Sequence, residues 1–236
     1  MKVINELADI YPQLYLDPDK YGTDDYRSIV LKGDRPETTD LSHFASDPRD
    51  RAEHLETPAG EALVVTLYNR RDFELFIRCM MAAKDGPYSN TAADAASEAL
   101  GVSLSEDEWT EKSDDIRKYH ELTHFVCRKL FPERIDAVWD ELVADAAGIF
   151  AAFGRYSRSL EELFLGIEDD KYTGGRLENY LNEGEDTGVL AGRISEVLRA
   201  FEIASDQWSG DDVFGYMLML EEKQDVLWKQ NEDNDM

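Results

Sequence analysis

Two short stretches decide how this chain reads: Tyr119-His120-Glu121-Leu122-Thr123-His124-Phe125 and, beginning sixteen residues after His124, Asp140-Glu141-Leu142-Val143-Ala144-Asp145. The first has the form H-E-x-x-H inside a run that favours helix. On a helix, residues four apart share one face, so His120 and His124 point the same way and two imidazole nitrogens can reach one ion. Zinc takes such nitrogens at about 2.0–2.1 Å. Glu121 stands beside the pair, where a carboxylate can take a proton from a water that the metal has made acidic. Tyr119 and Phe125 flank the motif as residues of a buried helix would. One Zn2+ per chain is the cofactor these residues predict.

An open catalytic zinc site needs a third protein ligand. No histidine follows His124, so that ligand is a carboxylate or Cys127. Cys127 lies seven residues after His120 on the same helix face, and among apolar neighbours it reads as a buried core thiol. Glu141 and Asp145 are also four apart, on one face of a helix that is otherwise apolar. Carboxylates are costly in such a setting unless they are paired or hold a metal, which makes this pair informative.

H-E-L-T-H followed by D-E-L-V-A-D resembles the gluzincin, or thermolysin-like, zinc metallopeptidases, whose second helix carries an Asn/Asp-Glu-x-x-x-Asp segment. The resemblance covers residues 113–153, about one sixth of the chain. It implies that His120, His124 and Glu141 are the zinc ligands and that Glu121 is the general base. It also implies that Asp145 orients His120 and Asp140 orients His124. The fold implied is zincin-like and mainly α (α+β): an active-site helix, a third-ligand helix and a small mixed sheet. Gluzincins take a later His or Tyr to stabilise the tetrahedral oxyanion. Here Tyr172, Arg176 and Tyr180 stand in for it, in a stretch whose Gly174-Gly175 pair suits a loop or an ordinary turn.

Outward from these stretches, Ser113 can cap a helix from about 114 to 131. Pro132, tolerated in a first turn, can open a second running to about Phe153, with Gly154 after it. The chain reads as one zincin-like domain over 1–230. Residues 1–60 are polar and rich in turn signals, and His43 and His54 are read as surface residues. Residues 61–68 (EALVVTLY) are the best strand, a candidate edge for pairing with an extended peptide or else a core strand. Further helices are expected at 73–83, 91–100, 159–167, 188–204 and 211–229, with a capping box at Ser105 and Glu108. Trp109, Trp139, Trp208 and Trp228 read as packing residues. Val213, Tyr216, Met217, Leu220, Val226 and Leu227 form a stripe suited to the core or to a dimer face. The acidic tail, 231–236, is expected to be disordered.

Charge limits the partners. Fifty-one acidic against 25 basic side chains give a net charge of −26. A chain this acidic does not hold a phosphate backbone or an anionic membrane surface electrostatically, so neither nucleic acid nor membrane is expected as a partner. The same field would steer basic peptides inward, and it also suits a protein adapted to salt. Two cysteines make no disulfide framework, residues 1–17 lack the apolar run of a secretory leader, and no stretch is long enough to span a bilayer; a cytoplasmic protein is expected. The function these readings predict is zinc-dependent hydrolysis of a peptide or protein substrate. The alternative is a zincin-like fold kept as a metal-stabilised binding or regulatory protein without turnover.

Overall fold

Ser105 opens the longest helix. Its hydroxyl accepts from the Glu108 backbone N–H, while the Glu108 carboxylate accepts from the Ser105 N–H, closing a reciprocal capping box. The computed structural model describes residues 51–66, 92–134, 136–181 and 186–229. The expected helix at 73–83, His43 and the acidic tail lie outside these residues. The chain divides into two compact units, one of residues 1–69 with 128–130 and one of 70–127 with 131–236.

In the first unit, strands β1 (Arg51–Thr57) and β2 (Gly60–Thr66) pair as an antiparallel hairpin, with Thr57 opposite Gly60 and His54 opposite Leu63. The expected strand therefore has a partner on one side, in a segment read from sequence as irregular. Charged residues interrupt the apolar alternation of Arg51–Thr57, which hides it from a pattern search. Leu67 and Tyr68 lie outside the described residues.

The second unit is mainly helical. It contains α1 (Ala92–Leu100), α2 (Glu106–Leu130) apart from its last three residues, a 3-10 turn (Pro132–Arg134), α3 (Ala137–Phe153) and α4 (Arg158–Leu165). A two-stranded hairpin of β3 (Ile167–Glu168) and β4 (Lys171–Tyr172) follows, then a second 3-10 turn (Arg176–Tyr180). The described chain closes with α5 (Thr187–Gln207), α6 (Val213–Glu221) and α7 (Gln224–Leu227). No helix among the described residues is long and apolar enough to cross a membrane.

Three sequence expectations need correction. Ser113 does not begin a helix. It is 2% exposed in the middle of α2, on the face shared by buried Trp109 and Ile116. The capping box at Ser105 starts the helix earlier, and nothing between 106 and 113 breaks it. Pro132 does not open α3 either. Asp136 does, accepting from the N–H groups of Val138 and Trp139, and Pro132–Arg134 form a separate turn. The single closing helix is two, and its stripe divides: Tyr216, Met217 and Leu220 are buried while Val226 is exposed.

Helix α3 is central. Thirteen of its seventeen residues are buried, so it must be covered on all sides. Phe150 stacks on Tyr216 of α6 with ring centroids 4.3 Å apart, and Trp139 meets Phe201 of α5 edge-on at 5.3 Å. On another side, Ile149 and Ala152 join a cluster with Ala96 and Leu100 of α1, Trp109 and Ile116 of α2, and Leu160 of α4.

Helix α2 crosses α3 in an antiparallel register that steps by about one turn on each. Lys112 bonds to the Ala152 carbonyl, and Ile116 faces Gly148. His120 meets Asp145 and His124 meets Asp140. Gly148 is what permits this proximity: a Cβ there would lie 2.5 Å from the Ile116 carbonyl oxygen.

Candidate metal centre

The site grows from that register. The Nδ1–H of His120 donates to Asp145 Oδ1 at 2.9 Å, and the Nδ1–H of His124 donates to Asp140 Oδ2 at 2.9 Å. A carboxylate can only accept, so each bond fixes the ring's tautomer and orientation and turns Nε2 toward the space between the helices. There the two Nε2 atoms stand 3.0 Å apart. Glu141 closes the triangle, with its two oxygens 3.5 Å from His120 Nε2 and 3.5 Å from His124 Nε2.

Three acceptors facing one another repel unless a proton or cation lies among them. Ligands at 2.0–2.1 Å around a tetrahedral ion are separated by about 3.3 Å, close to all three distances here. The donor set, two imidazoles and a carboxylate, is one that zinc takes in open catalytic sites. His120, His124 and Glu141 thus fit a metal by geometry and by chemistry, with candidate ligand atoms all within 4.8 Å of one another.

Burial and the neighbouring charges act differently on the three groups. Burial, then the neighbouring His124, pushes the His120 imidazole down to about 4. Burial opposes charge on His124 as well, but the hydrogen bond and charge of Asp140 outweigh it and raise that imidazole above its ordinary value. Burial would raise Glu141, yet the two histidines, Arg176 and the Tyr180 hydroxyl together hold it below the usual glutamate range. Glu141 is therefore an anion.

Two of the three candidates in the later loop reach this centre. Tyr180 Oη donates to Glu141 Oε2 at 3.0 Å, and burial pushes the phenol's pKa up, so it stays protonated and able to donate. Arg176 Nη2 bonds to Asp145 Oδ2. It thus braces the carboxylate behind His120, with its guanidinium carbon 5.8 Å from the Tyr180 ring centroid. Tyr172 does neither. Its hydroxyl donates to the Gly175 carbonyl and accepts from the Gly175 N–H, closing its own loop. That loop is possible because Gly166, at φ 75°, and Gly175 pass backbone against backbone with no room for a Cβ. The crossing delivers the Arg176–Tyr180 turn to the centre.

Glu121 is partly exposed, and its charge acts on both imidazoles. Cys127 is 4% exposed and is not among the residues whose donor atoms converge. Sequence reading takes Trp139 as a packing residue and does not single out Glu221, its hydrogen-bond partner beside Asp140. The Trp139 Nε1–H donates to Glu221 Oε2 at 2.9 Å. The available signal was a glutamate, Glu221, ending the apolar run Tyr216-Met217-Leu218-Met219-Leu220.

A helical fold with two histidines, a carboxylate and their carboxylate supports defines a candidate metal protein. Residues 80–200 match the family of unknown function DUF7005, and the chain belongs to that family. The matched region contains His120, His124 and Glu141 with their partners Asp140, Asp145, Arg176 and Tyr180. No curated protein and no solved structure matches the chain.

Proposed function

We propose that this protein is a zinc-dependent hydrolase, a metallopeptidase of gluzincin type. The observation that carries the reading is the convergence of His120 Nε2, His124 Nε2 and the Glu141 carboxylate between two helices, with both Nδ1 atoms held by buried aspartates. A structural zinc is closed by four protein ligands, whereas three ligands leave a position for water. Among the described residues three ligand atoms converge.

Zinc bound there would supply a water of lowered pKa and a Lewis acid for the scissile carbonyl. Glu121 takes a proton from the attacking water and hands it to the leaving amine, so it begins and ends each cycle as a carboxylate. Asp145 and Asp140 hold the imidazoles in place and strengthen them as ligands. Arg176 fixes Asp145. The Tyr180 hydroxyl lies against Glu141, from where it can turn to donate to the developing oxyanion. The substrate is a peptide or protein, and the net charge of −26 favours a basic one. Two cysteines, of which Cys127 is buried and makes no disulfide, suit a reducing compartment, and the proposal places the reaction in the cytoplasm.

The test is Glu121→Gln assayed against a peptide library. Zinc should stay bound while hydrolysis falls by about 10²–10⁴-fold, the usual contribution of a general base. Undiminished hydrolysis in that variant would remove Glu121 from the mechanism.

A further inference from the structure

A charged side chain buried away from the reacting atoms needs a reason to be there. Glu221, the last residue of α6, is 3% exposed. The reaction outlined above gives it no part. Its carboxyl accepts from the Trp139 indole N–H at 2.9 Å and from the Cys127 thiol. Trp139 is the residue before Asp140 on α3. Cys127 is three residues past His124 on α2, close to one turn along the same side.

Glu221 therefore touches both helices next to the point where Asp140 meets His124. Its own backbone is tied in as well. Arg134 reaches the Glu221 carbonyl, and the Gln224 amide donates to the Arg134 carbonyl at 2.9 Å. This joins the 3-10 turn between α2 and α3 to the end of α6. Trp139 is 1% exposed and packed against Phe201 and Trp228, so its indole has little freedom to seek another acceptor.

We propose that Glu221 is a positioning residue for the metal centre: by bonding Trp139 on one ligand-bearing helix and Cys127 on the other, it sets the spacing at which Asp140 holds the His124 imidazole. The proposal rests on the metal reading above for its consequence, but its geometric core concerns the His124–Asp140 bond alone. Arg176 serves His120 through Asp145 from the loop side. Glu221 serves His124 through Asp140's neighbour Trp139 rather than through Asp140 itself.

The experiment compares Glu221→Leu, Glu221→Gln and Trp139→Phe with the wild-type chain. The first readout needs no metal: the exchange-protected His124 Nδ1–H proton in the NMR spectrum of the metal-free protein. It should be present in the wild type and in Glu221→Gln, whose amide oxygen still accepts from Trp139. It should be lost to exchange in Glu221→Leu and weakened in Trp139→Phe. The second readout is zinc affinity by chelator competition, with the absorption spectrum of the cobalt-substituted protein. Glu221→Leu should bind zinc about 10-fold more weakly, as outer-shell losses do, and shift the cobalt bands. A merely structural role would lower thermal stability and leave both readouts unmoved in the folded fraction. An unchanged His124 signal in folded Glu221→Leu, or in Trp139→Phe if the first variant does not fold, overturns the proposal. Absence of zinc binding by the wild type overturns the metal reading and leaves the His124 signal to decide this one.

Discussion

Gly148 sits so close to Ile116 that a Cβ on the glycine would lie 2.5 Å from the Ile116 carbonyl oxygen. One turn along from this contact, His120 meets Asp145, and beyond it His124 meets Asp140. The side-chain bonds of the centre depend on how near the two helix backbones lie. Gly148→Ala pushes α3 away from α2 at the point that sets their separation. The expected cost is about 1–3 kcal/mol of stability, typical of forcing one carbon into a packed core. Urea unfolding reads it, and a midpoint equal to wild type would show that the helices have room to spare.

Asp145 carries two bonds on its two oxygens, one to His120 and one to Arg176. Asp145→Asn keeps the shape, loses the charge, and must satisfy both partners with one carbonyl oxygen. Zinc affinity should fall by about 10–100-fold while the fold is kept. Competition with a chromogenic chelator measures it, and wild-type affinity would mean that His120 needs no carboxylate behind it.

Far from the centre, Glu161 of α4 is fully buried. Burial holds its carboxyl well above the usual glutamate range, and neither of its oxygens has a hydrogen-bond partner among the described residues. The folded protein therefore keeps a proton that the unfolded chain has released. This contribution to stability is complete below the unfolded value of about 4.3 and is lost as pH rises from there through the folded pKa. Glu161→Gln, which does not titrate, should gain stability relative to wild type as pH rises above about 4.3. Denaturant unfolding across that range checks the trend. A constant difference between the two proteins would place Glu161 in an ionised, compensated state.

The helical character of the chain was legible because its signals are local. Asp136, Ser157, Asp186 and Asp212 accept from backbone N–H groups two or three residues further on, and α3 is apolar nearly all round. Helix starts were misplaced where two signals competed, as Ser105 against Ser113 and Pro132 against Asp136. In each pair the residue whose side chain reaches a free backbone N–H opens the helix. The histidine–carboxylate residues were legible because a helix face brings i and i+4 together. What could not be read was anything that depends on how helices meet. Tyr172, Arg176 and Tyr180 look alike as candidates, and only the crossing at Gly166 and Gly175 sends two of them to the centre and turns the third inward. Trp139 and Glu221 are eighty-two residues apart, and no local pattern joins them.

The central claim is that His120, His124 and Glu141 hold a metal ion. Elemental mass spectrometry of the purified protein, beside the His120→Ala variant, tests it most directly. About one zinc per chain in the wild type, and its loss in the variant, is the result expected for a three-ligand site. A wild-type protein that carries no metal and takes up none when zinc is added would contradict it, and the hydrolase reading would fall with it.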